Sequence, residues 1–179
     1  YEASPRPVRR LMTLVAGLCV AAVTLWALPG IVDFALYQNG LREKESAPLG
    51  ELIARAKSEG GFVWLGLAEP SAEEFDKIMG DFQFHPLAVE DAVAAHQRPK
   101  YEEFPDVQVM VLKTAFYEEK GSQISTGEIF CFIGKHFIVV VRHGNGSPLV
   151  NTRHHLERNP EQLAKGPYAV LHAILDHVI

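Results

Sequence analysis

Residues 107–117, VQVMVLKTAFY, 129–134, IFCFIG, and 136–142, HFIVVVR, decide the fold. They are β-branched and aromatic runs separated by the polar EEKGSQ turn at 118–123 and by Gly134-Lys135. This is the pattern of a three-strand meander. The last two runs are apolar almost without interruption, so the sheet they form is expected to be covered on both faces. We expect Phe62, Trp64, Val109, Val111, Phe130, Phe132, Phe137 and Val139 in the core.

On the N-terminal side the texture alternates. IVDFALY, from Ile31, is β-rich, and Asn39-Gly40 after it is a hairpin signal. Leu49, Leu52, Ile53 and Ala56 recur at helical spacing until Gly60-Gly61 stops them. FVWLGL is a short strand, and Ser71-Ala72-Glu73-Glu74 is a capping box that opens a helix running to about Gly80. Pro86 suits the first position of the next helix, which ends near Ala95, before Arg98-Pro99. On the C-terminal side SPLVNTRHHLERN reads as a polar, solvated helix. Gly166-Pro167 opens a last helix with an apolar stripe of Leu171, Ile174, Leu175 and Val178. Interleaved strands and helices, then a meander, then helices predict an α/β fold with a mixed β-sheet sandwiched between helical layers.

Composition narrows the function. The 179 residues are 47% hydrophobic and 22% charged, an ordinary globular balance. A net charge of −5 argues against a nucleic-acid partner. Two cysteines, Cys19 and Cys131, exclude a disulfide scaffold and an all-cysteine zinc site. Cys131 lies in an apolar strand, where a buried structural thiol is expected. The chain starts at Tyr1 and stops inside an apolar helical pattern, so a fragment is expected. Residues 1–30 form an apolar leader, with no charge from 11 to 32 after Arg9 and Arg10. That length can span a bilayer, serve as a signal, pack as a buried helix, or be foreign upstream sequence.

Enzyme motifs are absent: there is no GxSxG, GxxxxGK[ST], HExxH or GxGxxG, and Gly144-Asn145-Gly146 reads as a plain turn. The segment richest in chemistry is FHPLAVEDAVAAHQRPKYEEF, residues 84–104. Glu90 and Asp91 are neighbours on a helix and point about 100° apart, so they do not pinch one ion. Each can reach a different partner, and Arg98 or Lys100 can simply pair with them. A zinc site from His85, Glu90, Asp91 and His96 would need a tight fold-back. His172 and Asp176, four apart, can pair with each other, bind a metal, or meet another chain, in that order of preference.

WLGLAEPSAEEF, HPLAVEDA and HQRPKYEEF, followed by VQVMVLK, GEIFCFIGKHFIVVVRHG and YAVLHAILDHVI in that order, resemble the cytosolic N-terminal domain of the CorA family of magnesium and cobalt transporters. The resemblance covers residues 31–179. It implies an α/β/α domain of a homopentamer in the inner (plasma) membrane, with this domain in the cytosol. The membrane is reached through C-terminal helices that this chain lacks, so the expected role is ion sensing, not catalysis. The cations implied are Mg2+ or Co2+, with Ni2+ and Zn2+ as alternatives, because zinc-transporting relatives share the architecture. The family's inter-subunit regulatory site carries over to Glu90 and Asp91 of HPL-x-x-ED, and Asp176 is a further candidate. Arg98 and Lys100 would be structural support for the acidic helix. Arg9 and Arg10 inside would send the domain out of the cytosol, so upstream sequence or an extra helix is preferred for the leader. A scaffold module that kept the fold, and a metal enzyme, are the competing hypotheses; a downstream Gly-Met-Asn beside two apolar spans would decide for transport.

Overall fold

A computed structural model describes residues 30–44, 47–80, 82, 84, 86–118, 123–144 and 149–178. The leader, except Gly30, and His85 lie outside the described residues. Among the described residues no helix is long and apolar enough to cross a membrane.

Seven strands form one mixed sheet: β1 (Ile31–Gln38), β2 (Leu41–Arg42), β3 (Phe62–Ala68), β4 (Lys100–Phe104), β5 (Val107–Glu118), β6 (Gln123–Gly134) and β7 (Phe137–Gly144). Their order is β2-β1-β3-β7-β6-β5-β4. The meander β5-β6-β7 is antiparallel, as its short turns require. β3 and β7 are parallel, with Leu65 opposite Val139. This pairing joins the N-terminal strands to the meander. The helices are α1 (Leu49–Glu59), α2 (Ala72–Met79), α3 (Pro86–Ala94), α4 (Val150–Glu157), α5 (Pro160–Leu163) and α6 (Pro167–Val178).

The period of two in the strands splits the core into two layers. Phe130, Phe132, Val139 and Val141 face Phe75, Ala88 and Ala92 of α2 and α3. Ile129, Cys131, Ile138 and Val140 face Leu156, Val170 and Ile174 of α4 and α6. This is the α/β/α arrangement expected, with apolar strands buried on both sides. Of the eight expected core residues, seven are buried, whereas Phe137 is half-buried because it opens β7 at the sheet's end. Burial pushes the Cys131 thiol up to about 12, which keeps it protonated.

Local signals appear where the sequence placed them. Asn39 and Gly40 both have positive φ, 51° and 78°, as a tight hairpin between β1 and β2 demands. A Cβ on Gly40 would fall 1.9 Å from the Pro160 carbonyl oxygen, so only glycine fits there. Ser71 and Glu74 form the reciprocal capping box of α2.

The helix read as solvated is a correction. His154 and His155 of α4 are exposed, but Thr152, Arg153 and Leu156 are buried. The Arg153 guanidinium lies 4.1 Å from the Trp64 ring centroid and donates to Asp33 at 3.0 Å. Arg42 donates to both Asp33 oxygens at 2.8 Å and to Glu157 at 3.1 Å, and the Tyr37 hydroxyl donates to Glu157 at 2.7 Å. A charged helix face can be buried when β1 supplies its counter-charge. The chain after Pro99 is paired as the edge strand β4.

Val139→Asp places an unpaired charge in a fully buried site. Its cost is of the order of a whole domain's stability, about 5–15 kcal/mol. Circular dichroism should show loss of the cooperative melt; a parent-like melting temperature would contradict the two-faced burial. Burial alone would raise the Asp33 carboxyl, but the Arg42 hydrogen bonds and the charges of Arg153 and Arg42 outweigh it and hold it below the usual range. The stabilisation is therefore full above about pH 4 and is lost as pH falls through the folded-state value. Asp33→Asn should cost on the order of 2 kcal/mol at neutral pH. In urea titrations its deficit against the parent should shrink below about pH 4. A deficit that does not change with pH would contradict this.

Candidate functional site

The acidic helix α3 begins at Pro86, whose missing N–H is harmless in the first turn. Ala88 and Ala92, one turn apart, face the sheet and are buried. Small side chains there let the helix lie close to β6 and β7. Ala95 and His96, with φ of 53° and 61°, turn the chain left-handed and end the helix.

Register then sets the two carboxylates apart. Asp91 is half-buried and its Oδ2 receives the Lys100 ammonium at 2.7 Å, while the same ammonium reaches Glu102 at 3.1 Å. The Asp91 carboxylate, helped by that of Glu102, raises the Lys100 pKa. Glu90 is exposed and forms no ion pair with a described residue. Arg98 is exposed and likewise forms no ion pair among the described residues. Lys100 therefore neutralises Asp91, and Glu90 has no counter-charge among the described residues.

Two further contacts hold α3 and its exit, and neither was singled out from the sequence. His143 places Nε2 at 2.8 Å from the Ala92 carbonyl oxygen and Nδ1 at 3.1 Å from Glu69. Glu69 also accepts from the Gly144 amide, which with His143 holds its carboxyl below the usual range. The Gln97 amide donates to Glu128 at 3.2 Å, and Glu128, its side chain only 7% exposed, pairs with Lys113. Glu128 lies two residues before Phe130 in β6, so strand alternation alone puts it on the α3 face.

Asp176, on α6, accepts from His172 Nδ1 at 3.1 Å, and both side chains are exposed. This is the first of the three roles weighed for the pair. α6 covers the sheet face opposite to α3. Asp176 and the Glu90-Asp91 pair therefore cannot share an ion within one chain. Among the described residues no three histidine, cysteine or acidic side chains gather as a metal group would require. The group of His85, Glu90, Asp91 and His96, disfavoured as a zinc site, includes a residue outside the described ones.

Lys113→Met would leave the Glu128 carboxylate buried without its cation. We expect a loss of about 2–3 kcal/mol in chemical denaturation. The double variant Lys113→Met/Glu128→Gln should recover most of it, since the amide oxygen can still accept from Gln97. Equal stability of Lys113→Met and the parent would show that Glu128 does not brace the α3 exit.

Comparison with known proteins agrees with this architecture. Residues 59–179 match the sequence profile of the family described as CorA-like Mg2+ transporter protein. A Bacillus subtilis protein, YfjQ, named for metal ion transport, is 28% identical over 118 residues, 66% of this chain and 36% of its own. The cobalt/magnesium transport protein CorA of Thermotoga maritima is 23% identical over 120 residues, 64% of this chain and 34% of its own. The chain thus spans about a third of the length of these relatives. The soluble domain of CorA from Methanocaldococcus jannaschii superposes with a TM-score of 0.55 at 15% identity, over 83% of this chain and 56% of that one. The ZntB cytoplasmic domain from Vibrio parahaemolyticus does so with 0.56 at 13%, over 83% and 57%. With a profile match across most of its length and the fold of the family's soluble domain, the chain belongs to the CorA-like Mg2+ transporter family.

Proposed function

We propose that this chain is the cytosolic ion-sensing portion of a divalent-cation transport channel of five identical subunits in the plasma membrane. Its cargo and regulator would be Mg2+ or Co2+. The observation that carries the reading is the uneven treatment of the acidic pair. Lys100 pairs with Asp91, whereas Glu90 projects from the same helix with no counter-charge among the described residues. Hard cations take carboxylate oxygens, and Mg2+ keeps several waters, so one or two carboxylates per subunit suffice. Brought against an acidic neighbour in a ring, they repel until a cation sits between them. Ion binding then favours the closed symmetric ring, and ion loss loosens it. Asp176, on the opposite sheet face, fits a second site of the same kind between chains.

A zinc-carrying relative is the second reading, supported by the ZntB domain superposing as well as that of CorA. Flux of the full-length protein with Mg2+ and Zn2+ offered separately distinguishes the two.

In the full-length protein, Glu90→Ala/Asp91→Ala should conduct but need severalfold more internal Mg2+ to close. Closure at the parent's internal Mg2+ concentration would refute the regulatory assignment.

A further inference from the structure

On the face of the sheet away from α3, a cavity of about 250 Å³ opens between α4 and the C-terminal ends of the parallel strands β3 and β7. Val32 and Val150, each about half exposed at 46% and 48%, line it together with Leu149. Gly66 leaves it deep. A Cβ there would sit 3.6 Å from the Asp33 carbonyl oxygen and 3.8 Å from Arg153 Nη2, so one methyl fits but a larger side chain would fill the space.

Not all of its arginines are ion-paired among the described residues. Arg153, nine-tenths buried, and Arg42 are matched by Asp33 and Glu157. Arg142, on the same face of β7 as Val140, also lines the cavity but forms no ion pair with a described residue. The charge of Arg142 helps to lower the nearby Glu69 carboxyl, whose hydrogen bonds go to the Gly144 amide and the His143 ring. The Arg142 guanidinium is therefore without an ion pair among the described residues, in a cavity that His154 also lines.

We propose that this cavity binds a small carboxylate anion with an apolar body. A guanidinium takes a carboxylate through two parallel hydrogen bonds, which fixes the head group at Arg142. The valine and leucine surfaces would bury the body, whereas a hydrated inorganic anion would leave them wet. The site lies across the sheet from Glu90 and Asp91, so it is independent of the cation reading.

The test is calorimetric titration of the full-length protein with phenylacetate, using phenylacetamide as the neutral analogue and inorganic phosphate as the purely ionic one. We expect saturable phenylacetate binding, at least about tenfold weaker for phenylacetamide and for Arg142→Gln. Gly66→Val should abolish it. Arg142→Gln should keep the parent melting temperature, so it decides the matter even if Gly66→Val fails to fold. Absence of saturable binding would overturn the proposal. So would binding indifferent to Arg142→Gln, or phosphate competing as well as phenylacetate.

Discussion

The parallel pairing of β3 with β7 is the constraint on which the other features rest. It welds β1-β2-β3 to the meander β4–β7 and buries the two strands at the centre of the sheet. Such strands need cover on both faces, which α1–α3 and α4–α6 supply. The alternation of β7 then distributes chemistry between the faces. His143 reaches the Ala92 carbonyl under α3, and Arg142, one residue earlier, opens onto the cavity beside α4. The two proposed binding surfaces, with no shared side chain, thus hang from consecutive positions of one strand.

On the α3 side, electrostatics holds a helix whose Glu90 has no counter-charge among the described residues. Its fully buried apolar side chains are the small Ala88 and Ala92, with Val89 and Val93 packed partly buried beside them. The remainder comes from polar ties: Asp91 to Lys100, the Ala92 carbonyl to His143, and Gln97 to the buried Glu128. Partly exposed pairs contribute little individually, about 0–1 kcal/mol, so Glu128, with almost no exposure, is the tie whose loss would matter most. Fixing α3 from three directions places Glu90 without spending its charge inside the domain. A carboxylate held in that way has electrostatic attraction left for a cation.

Much of this was legible in the sequence because it is local. The capping box at Ser71, the Asn39-Gly40 turn and the doubly apolar β6 and β7 depend on residues a few positions apart, and they form as read. The Asp91-Lys100 pair spans nine residues and was among the alternatives weighed. What escaped depends on partners far along the chain. Arg153 is buried because Asp33, 120 residues earlier, meets it, and composition around α4 gives only the impression of a solvated helix. His143 contacts Ala92 across 51 residues, and no spacing rule announces that. The acidic pair itself was marked by the HPL-x-x-ED resemblance, while its physical surroundings emerged only from the packing.

The claim that α3 presents carboxylates to a divalent ion at a subunit boundary is tested most directly by anomalous scattering from the full-length protein crystallised with Co2+. The account predicts a cobalt peak within about 2.5 Å of a Glu90 or Asp91 carboxylate oxygen, or one water further out, with a neighbouring subunit completing the shell. Cobalt peaks confined to the membrane pore, with none beside α3 at saturating Co2+, would contradict it.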